Sequence, residues 1–271
     1  MDRVNEFPNS AQSSKIVPRA LATHRGGAPS GMTERSATAS APAATIADAV
    51  FARLRTDIIG GRFEPGEKLR LDRMRALYGA GISPVREALS RLAADGLVVL
   101  ESQRGFRVRP ASIADLQDIA ATRIRIETAA LALSIEHGDD AWEARVVSAH
   151  HVLAKLDPTR IAEPARRLEW EARHREFHAS LIAACGSPWL LHFSGLLWDQ
   201  FDRYRRLARF SGRPQRRLAG HHLGLVEAVT GRRVRDATRI LAEHIGETAS
   251  GVAGILAASI AVPGTAGARR R

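Results

Sequence analysis

The chain has 271 residues, of which 45% are hydrophobic and 25% charged, and a formal net charge of +11, so two domains of ordinary size can each bury a core. A single cysteine, Cys185, excludes an internal disulfide and any cysteine-based zinc motif. No apolar run is long enough to span a bilayer, Val252 to Val262 being too short, and the first residues have no secretory core, so the expectation is a cytoplasmic protein with no membrane partner. Only three of the 40 basic residues are lysines. Arginine forks onto phosphates and guanine edges as lysine does not, which suits a nucleic-acid partner, although a GC-rich genome gives the same bias. Residues 45–110 hold 12 basic and 8 acidic residues against 20 and 18 in residues 111–262, so the excess leans toward the earlier segment.

Residues 1–43 are rich in Ser, Ala, Pro, Gly and Thr without periodicity and read as a disordered arm, with Met32 an alternative start. Ala44 to Gly60 is an amphipathic helix in which Ile46, Val50, Leu54 and either Asp57 or Ile58 follow the helical period. Phe63-Glu-Pro-Gly66 is a turn, Leu71 to Tyr78 a short second helix, and Gly79-Ala-Gly81 a tight corner. The third helix has its limits written in. Ser83 can cap its start, Pro84 suits the first helical position, and Gly96 stops it. Val85, Leu89 and Leu92 then face a core while Arg86 and Arg91 lie on the polar side, the arrangement of a helix-turn-helix. Leu97 to Glu101 and Phe106 to Arg109 are strand-like runs joined by a tip at Ser102-Gln-Arg-Gly105, a wing.

From about Ala44 to Pro110 this order resembles the winged helix of the GntR transcription regulators, the carrying motifs being Ser83-Pro-Val-Arg-Glu-Ala-Leu89, Asp95-Gly-Leu-Val98 and Arg104-Gly-Phe-Arg-Val108. The resemblance implies a homodimer whose paired recognition helices read a near-palindromic operator in double-stranded DNA. Ser83, Pro84, Arg86 and Arg91 would then lie at bases or phosphates, and Arg104 and Gly105 on the wing would reach the adjacent groove. Many relatives carry an extra Arg or Thr ahead of the Pro where this chain has Gly81-Ile82-Ser83, so base preference does not transfer.

Residues 111–260 read as helical throughout, in six or seven segments broken at Gly138, Asp157-Pro158, Gly186-Ser-Pro188, Gly212-Arg-Pro214 and Gly231, with a basic tail at 261–271. The expected fold is mainly α, a winged helix-turn-helix followed by an all-α bundle with its sites on inward side chains. On the helix around 165–185 one face carries Trp170, His174, His178, Leu181 and Cys185. His222 shares a stripe with Leu218, Leu225 and Val229, and His244 with Leu241, Thr248 and Val252. Any one of these reads as a satisfied core histidine. Four gathered imidazoles instead ask for something that shares their lone pairs, and a divalent metal does so. Cys185, a small thiol on the same face, reads as core filler. His150, His151 and His221 read as surface or packing residues. The run of Arg203, Arg205, Arg206, Arg209, Arg213, Arg216 and Arg217 could touch nucleic acid, but more simply is a solvated face or dimer rim. Arg123 lies on the stripe of Leu116, Ala120 and Leu131, an expensive place for a guanidinium unless a carboxylate meets it, and the plainer reading is a pair with Glu127 one turn on at a partly exposed face.

The segments His174-Arg-Glu-Phe-His178, Ala184-Cys-Gly-Ser-Pro188, His222-Leu-Gly-Leu-Val-Glu-Ala228 and Glu243-His244-Ile245 are similar to the FCD effector domain of the FadR branch. There an Asp-x-x-x-His pair and two later histidines bind a metal, commonly zinc or nickel, and an Arg in a motif matched by Arg123-Ile-Arg-Ile-Glu127 clamps a carboxylate effector. Here His174 stands at the Asp position. That leaves four imidazoles as ligands and favours an anion to complete the shell. Asp199 to Leu207 and the Cys-Gly-Ser-Pro-Trp run are similar to the glutarate-responsive carbon-starvation repressors of this family. The function expected is a repressor, not an enzyme, released by a small organic acid. The alternative is a metal-dependent hydrolase, which needs an inward Glu or Asp as general base, and none is evident beside the histidines.

Overall fold

A computed structural model describes residues 45–102, 104–156, 164–208 and 215–261. The expected arm, the tail beyond Ala261 and the breaks at 157–158 and 212–214 lie outside the described residues. The first helix, α1 (Ile46–Ile59), starts at a reciprocal cap in which Thr45 Oγ1 accepts from the Asp48 amide and the Asp48 carboxylate accepts from the Thr45 amide. Its buried stripe is Ala47, Val50, Leu54, Ile58 and Ile59. Ile46, expected on that stripe, is 66% exposed because the first helical residue precedes the contact with the third helix. After the Pro-Gly turn a two-residue strand, β1 (Lys68–Leu69), leads into α2 (Leu71–Tyr78), which ends at Gly79 in the left-handed conformation.

The corner delivers α3 (Ile82–Ala94). Its cap is Gly81, without a side-chain hydrogen bond, so Ser83 and Pro84 occupy the second and third helical positions rather than the cap and the first. The helix thus begins two residues earlier than the Ser-Pro pair suggests, and proline is tolerated because first-turn amides have no partner inside a helix. Val85, Ala88, Leu89 and Leu92 fill the head core, and Gly96 follows the helix with φ +74°. β2 (Val98–Glu101) and β3 (Gly105–Val108) form the wing, antiparallel with Val98 opposite Val108, and β1 adds to the far side of β3.

The second core belongs to six helices: α4 (Ile113–His137), α5 (Asp140–Ala154), α6 (Pro164–Ile182), α7 (Pro188–Leu207), α8 (Gln215–Thr230) and α9 (Val234–Ala261). Among the described residues this bundle has no strand. α4 lies at its centre against α6, α7 and α9. Ser112, Asp139 and Ser187 cap α4, α5 and α7 through their side-chain oxygens. Cys185 is buried in the core, as its filler reading has it.

Gly138 turns the chain from α4 into α5 with the Trp142 indole packed on it, and that indole is pinned by its Nε1–H donating to Ser180 O at 2.8 Å. A Cβ at Gly138 would lie 2.1 Å from Trp142 Cε3 and 2.6 Å from Ser134 O. Gly138→Ala should therefore destabilise the bundle by about 2–3 kcal/mol, as overpacking of a fixed core does. Denaturant melts check this, and an unchanged midpoint would contradict the packing described.

Candidate functional site

The reading head presents one open face. Ser83, Arg86, Glu87 and Ser90 are exposed on α3, Pro84 is half-buried, Arg104 is exposed at the wing tip, and Gly105 takes φ +85° where the chain reverses. Arg91 is placed differently from the rest. It donates to Asp48 Oδ1 at 2.7 Å and stacks 4.3 Å above the Phe51 ring, which ties α3 to α1. The hydrogen bond from Arg91, with two more from Thr45, holds the Asp48 carboxyl at about 2.

In the bundle, the four histidines singled out by periodicity converge. His174 and His178 from α6, His222 from α8 and His244 from α9 each offer a ring nitrogen, all within 4.8 Å of one another. Ring centroids are 4.6 Å apart for His174 and His178 and 4.7 Å for His222 and His244. Trp170 stacks on His174 at 4.8 Å and sets its plane. Burial pushes all four imidazoles down, His222 to about 3, with neighbouring rings and arginines adding to the effect. They are therefore neutral at pH 7. His174 Nδ1, both nitrogens of His178, His222 Nε2 and His244 Nδ1 are buried without a hydrogen-bond partner. Orphaned buried nitrogens each cost on the order of 1–3 kcal/mol, so this lone-pair-rich, cysteine-free donor set fits a borderline divalent cation such as zinc or nickel.

Two guanidinium groups face the rings. Arg123 on α4 holds Glu127 by two bonds, 2.8 and 3.2 Å, and lies 4.5 Å over Trp198 and 4.7 Å over Phe201. The Glu127 pairing read from the sequence is present, but both side chains are buried rather than partly exposed. Arg205 on α7 lies 5.4 Å over Trp170, donates to Asp202 at 3.2 Å and leaves its Nε without a partner. Arg123, Arg205, Asp202, Trp198 and three of the histidines line a cavity of about 10 Å³, room for a single ion or water. Here the sequence reading needs correction. Arg203 and Arg205 are buried, not a solvated face: Arg205 shares an inward stripe of α7 with Trp198 and Phe201, and Arg203 reaches the carbonyls of Arg109 and Pro110. Asp202 is an inward carboxylate beside the histidines, as Glu127 is one bond away, although neither was evident from periodicity. The side chains of Arg209, Arg213, Arg216 and Arg217 lie outside the described residues. His150 is half-buried against Phe177, and His221 lies 6.0 Å from His244, so both pack around the cluster.

The other side of α7 holds the reading head. Asp199, next to Trp198, is 4% exposed and accepts from Arg55 of α1 (Nε at 2.7 Å, and Nη2) and from Arg175 of α6 at 2.6 Å. Gln200 Nε2 donates at 2.9 Å to Asp95 O, the capping residue of α3. Arg203 donates to Arg109 O and Pro110 O, and Tyr204 Oη donates to Asp115 at 2.7 Å, both at the junction into α4.

A profile described as "Bacterial regulatory proteins, gntR family" matches residues 46–108, and one described as "FCD domain" matches residues 118–247. The chain is 41% identical over 207 residues to the uncharacterized HTH-type transcriptional regulator BphR of Paraburkholderia xenovorans, covering 76% of this chain and 84% of that one. It is 37% identical over 196 residues to the HTH-type transcriptional repressor GlaR of Escherichia coli, covering 71% and 89%. Among solved structures, E. coli McbR/YncC superposes with a TM-score of 0.63 at 19% identity, and a GntR regulator from Rhodococcus sp. RHA1 with 0.62 at 21%. Each covers 77% of this chain and 97% of its own, a likeness of fold. Among the described residues no helix is long and apolar enough to cross a membrane.

The buried imidazoles set a pH dependence. Their folded pKa values lie below the ordinary value near 6.5, so below that pH the unfolded chain binds protons that the folded one refuses, and stability falls as pH drops. Each ring adds up to about 1.4 kcal/mol per pH unit. Urea melts of chelator-treated protein from pH 7.5 to 5.5 should show this slope, and a flat profile would contradict four neutral buried rings.

Proposed function

The chain belongs to the GntR family of bacterial regulatory proteins and is a DNA-binding transcriptional regulator with an FCD domain, and from that premise we propose that it is a homodimeric repressor released by a small organic acid bound at a metal in the bundle. The observation that carries the reading is the set of orphaned histidine nitrogens from three helices, faced by the buried Arg123 and Arg205. His174, His178, His222 and His244 would hold a zinc or nickel ion, whose role when bound is to present positive charge to a carboxylate. Four neutral ligands leave that charge uncompensated, and an anion both balances it and reaches the Arg123 or Arg205 guanidinium. Arg86 and Arg104 would contact the operator with Ser83, Pro84 and Gly105, while Arg91 would position α3 from its place against Asp48 and Phe51. The repressor named GlaR is a relative consistent with this direction of control.

The hydrolase reading is weaker because the inward carboxylates are already committed. Glu127 accepts from Arg123 and Ser194, and Asp202 from Arg205 and Arg206. A general base needs a free oxygen at the metal-bound water.

Two outcomes test the proposal. His178→Ala and His222→Ala should each lose bound metal and the effect of an acid found by thermal-shift screening, while band shifts of DNA from upstream of the protein's own gene stay within about threefold of wild type. Loss of the response with metal retained would contradict it. Asp199→Asn should leave metal and acid binding in place but reduce the effect of the acid on DNA binding at least fivefold, because Arg55 and Arg175 lose the charge they share. A response unchanged in that variant would remove α7 as the link.

A further inference from the structure

We propose that the acid site has a second compartment, which takes the apolar body of the ligand while its carboxylate sits at the histidines. The inference rests on the metal-and-acid reading and adds the ligand class: acids with a chain of several carbons, not compact ones such as acetate. A cavity of about 180 Å³ lies between α6 and α7, far more than the roughly 10–15 Å³ that a single water needs. It shares a wall with the histidine cavity, since His178 and Trp198 line both. The buried ion pair spans that wall, with Arg123 on the histidine side and Glu127 on the other. His178 is 4% exposed, and both its ring nitrogens lack a partner, so the shared wall itself carries an unmet donor.

The room exists because small residues stand where bulk would fill it. Ala179 on α6 and Gly195 on α7 line the cavity beside Leu191. Gly195 is in the middle of a helix, where glycine costs up to about 1 kcal/mol relative to alanine. A Cβ there would meet nothing within 4 Å, and its backbone is not left-handed, so neither packing nor conformation calls for glycine. An occupant does. Ala179 and Leu191 also reach the surface, which opens a path to rings that are otherwise buried.

Straight-chain monocarboxylates from acetate to hexanoate, titrated calorimetrically into the zinc-loaded full chain, test this. Affinity should tighten about three- to fourfold with each added methylene, the gain expected from burying one. Gly195→Leu should flatten the series, with zinc content and acetate affinity unchanged. Ala179→Leu, filling the cavity from the opposite helix, should do the same and serves if the first variant folds poorly. Zinc and acetate bound with a flat wild-type series, or a series unaltered in both variants, would overturn the second compartment alone. A wild-type chain that holds no zinc, or none of the acids in the series, would overturn the reading beneath it as well.

Discussion

Charge that has been taken out of water must find a partner, and on α7 this requirement shapes the molecule. Asp199, Asp202, Arg203 and Arg205 are all at most 9% exposed within about two turns of one helix. An unpaired buried charge costs several kcal/mol, so each is committed to something: Asp199 to Arg55 and Arg175, Asp202 to Arg205 and Arg206, Arg203 to the carbonyls of Arg109 and Pro110. Except for those of Asp202, which lie on α7 itself, the partners are not local. They belong to α1, to α6 and to the junction between head and bundle. The same helix sends Trp198, Phe201 and Arg205 into the histidine cavity. A ligand that displaces any of these side chains changes pairings that hold the reading head.

The imidazole cluster obeys the same rule with the opposite answer. Its rings avoid the charge problem by staying neutral, and what remains unmet is hydrogen-bonding capacity. A cation satisfies the lone pairs but brings back a buried charge, now without a carboxylate at the position of His174. Under the proposed reading the anion would be part of the site's electrostatics and not an accessory to it. Metal and acid affinity should be coupled for this reason, each raising the other by the same factor.

How much of this was legible depended on whether the signal was periodic or relational. The histidine stripes were plain because a 3.6-residue repeat places His174 beside His178 whatever else the chain does. The recognition helix and wing were plain from their Gly-rich ends, although Ser83 and Pro84 were assigned as cap and first residue when Gly81 holds that place. A two-residue strand such as Lys68–Leu69 has no pattern to detect. Arg203, Arg205 and Asp202 escape a periodic reading because charges default to solvent, and only the carbonyls of Arg109 and Pro110, the pairing of Asp202 with Arg205 and Arg206, and the Trp170 ring make burial tolerable. Arg123 could be read either way from sequence, and the structure has it buried and bonded to Glu127 at the cavity wall.

The size of the joint explains why a small ligand would suffice. Arg55 keeps a third of its side chain in water, so its bond to Asp199 contributes on the order of 1 kcal/mol. Gln200 to the Asp95 carbonyl is one neutral hydrogen bond and adds a similar amount. Beyond the Arg203 bonds at the junction, a head held by contacts of this size would have alternative positions within a few kcal/mol. Couplings of about 1–3 kcal/mol between sites are ordinary and change affinity some 5- to 150-fold. In the proposed repressor, an acid that bound one arrangement of α7 better than another would need only the difference made by one ion pair to alter how the paired heads fit an operator.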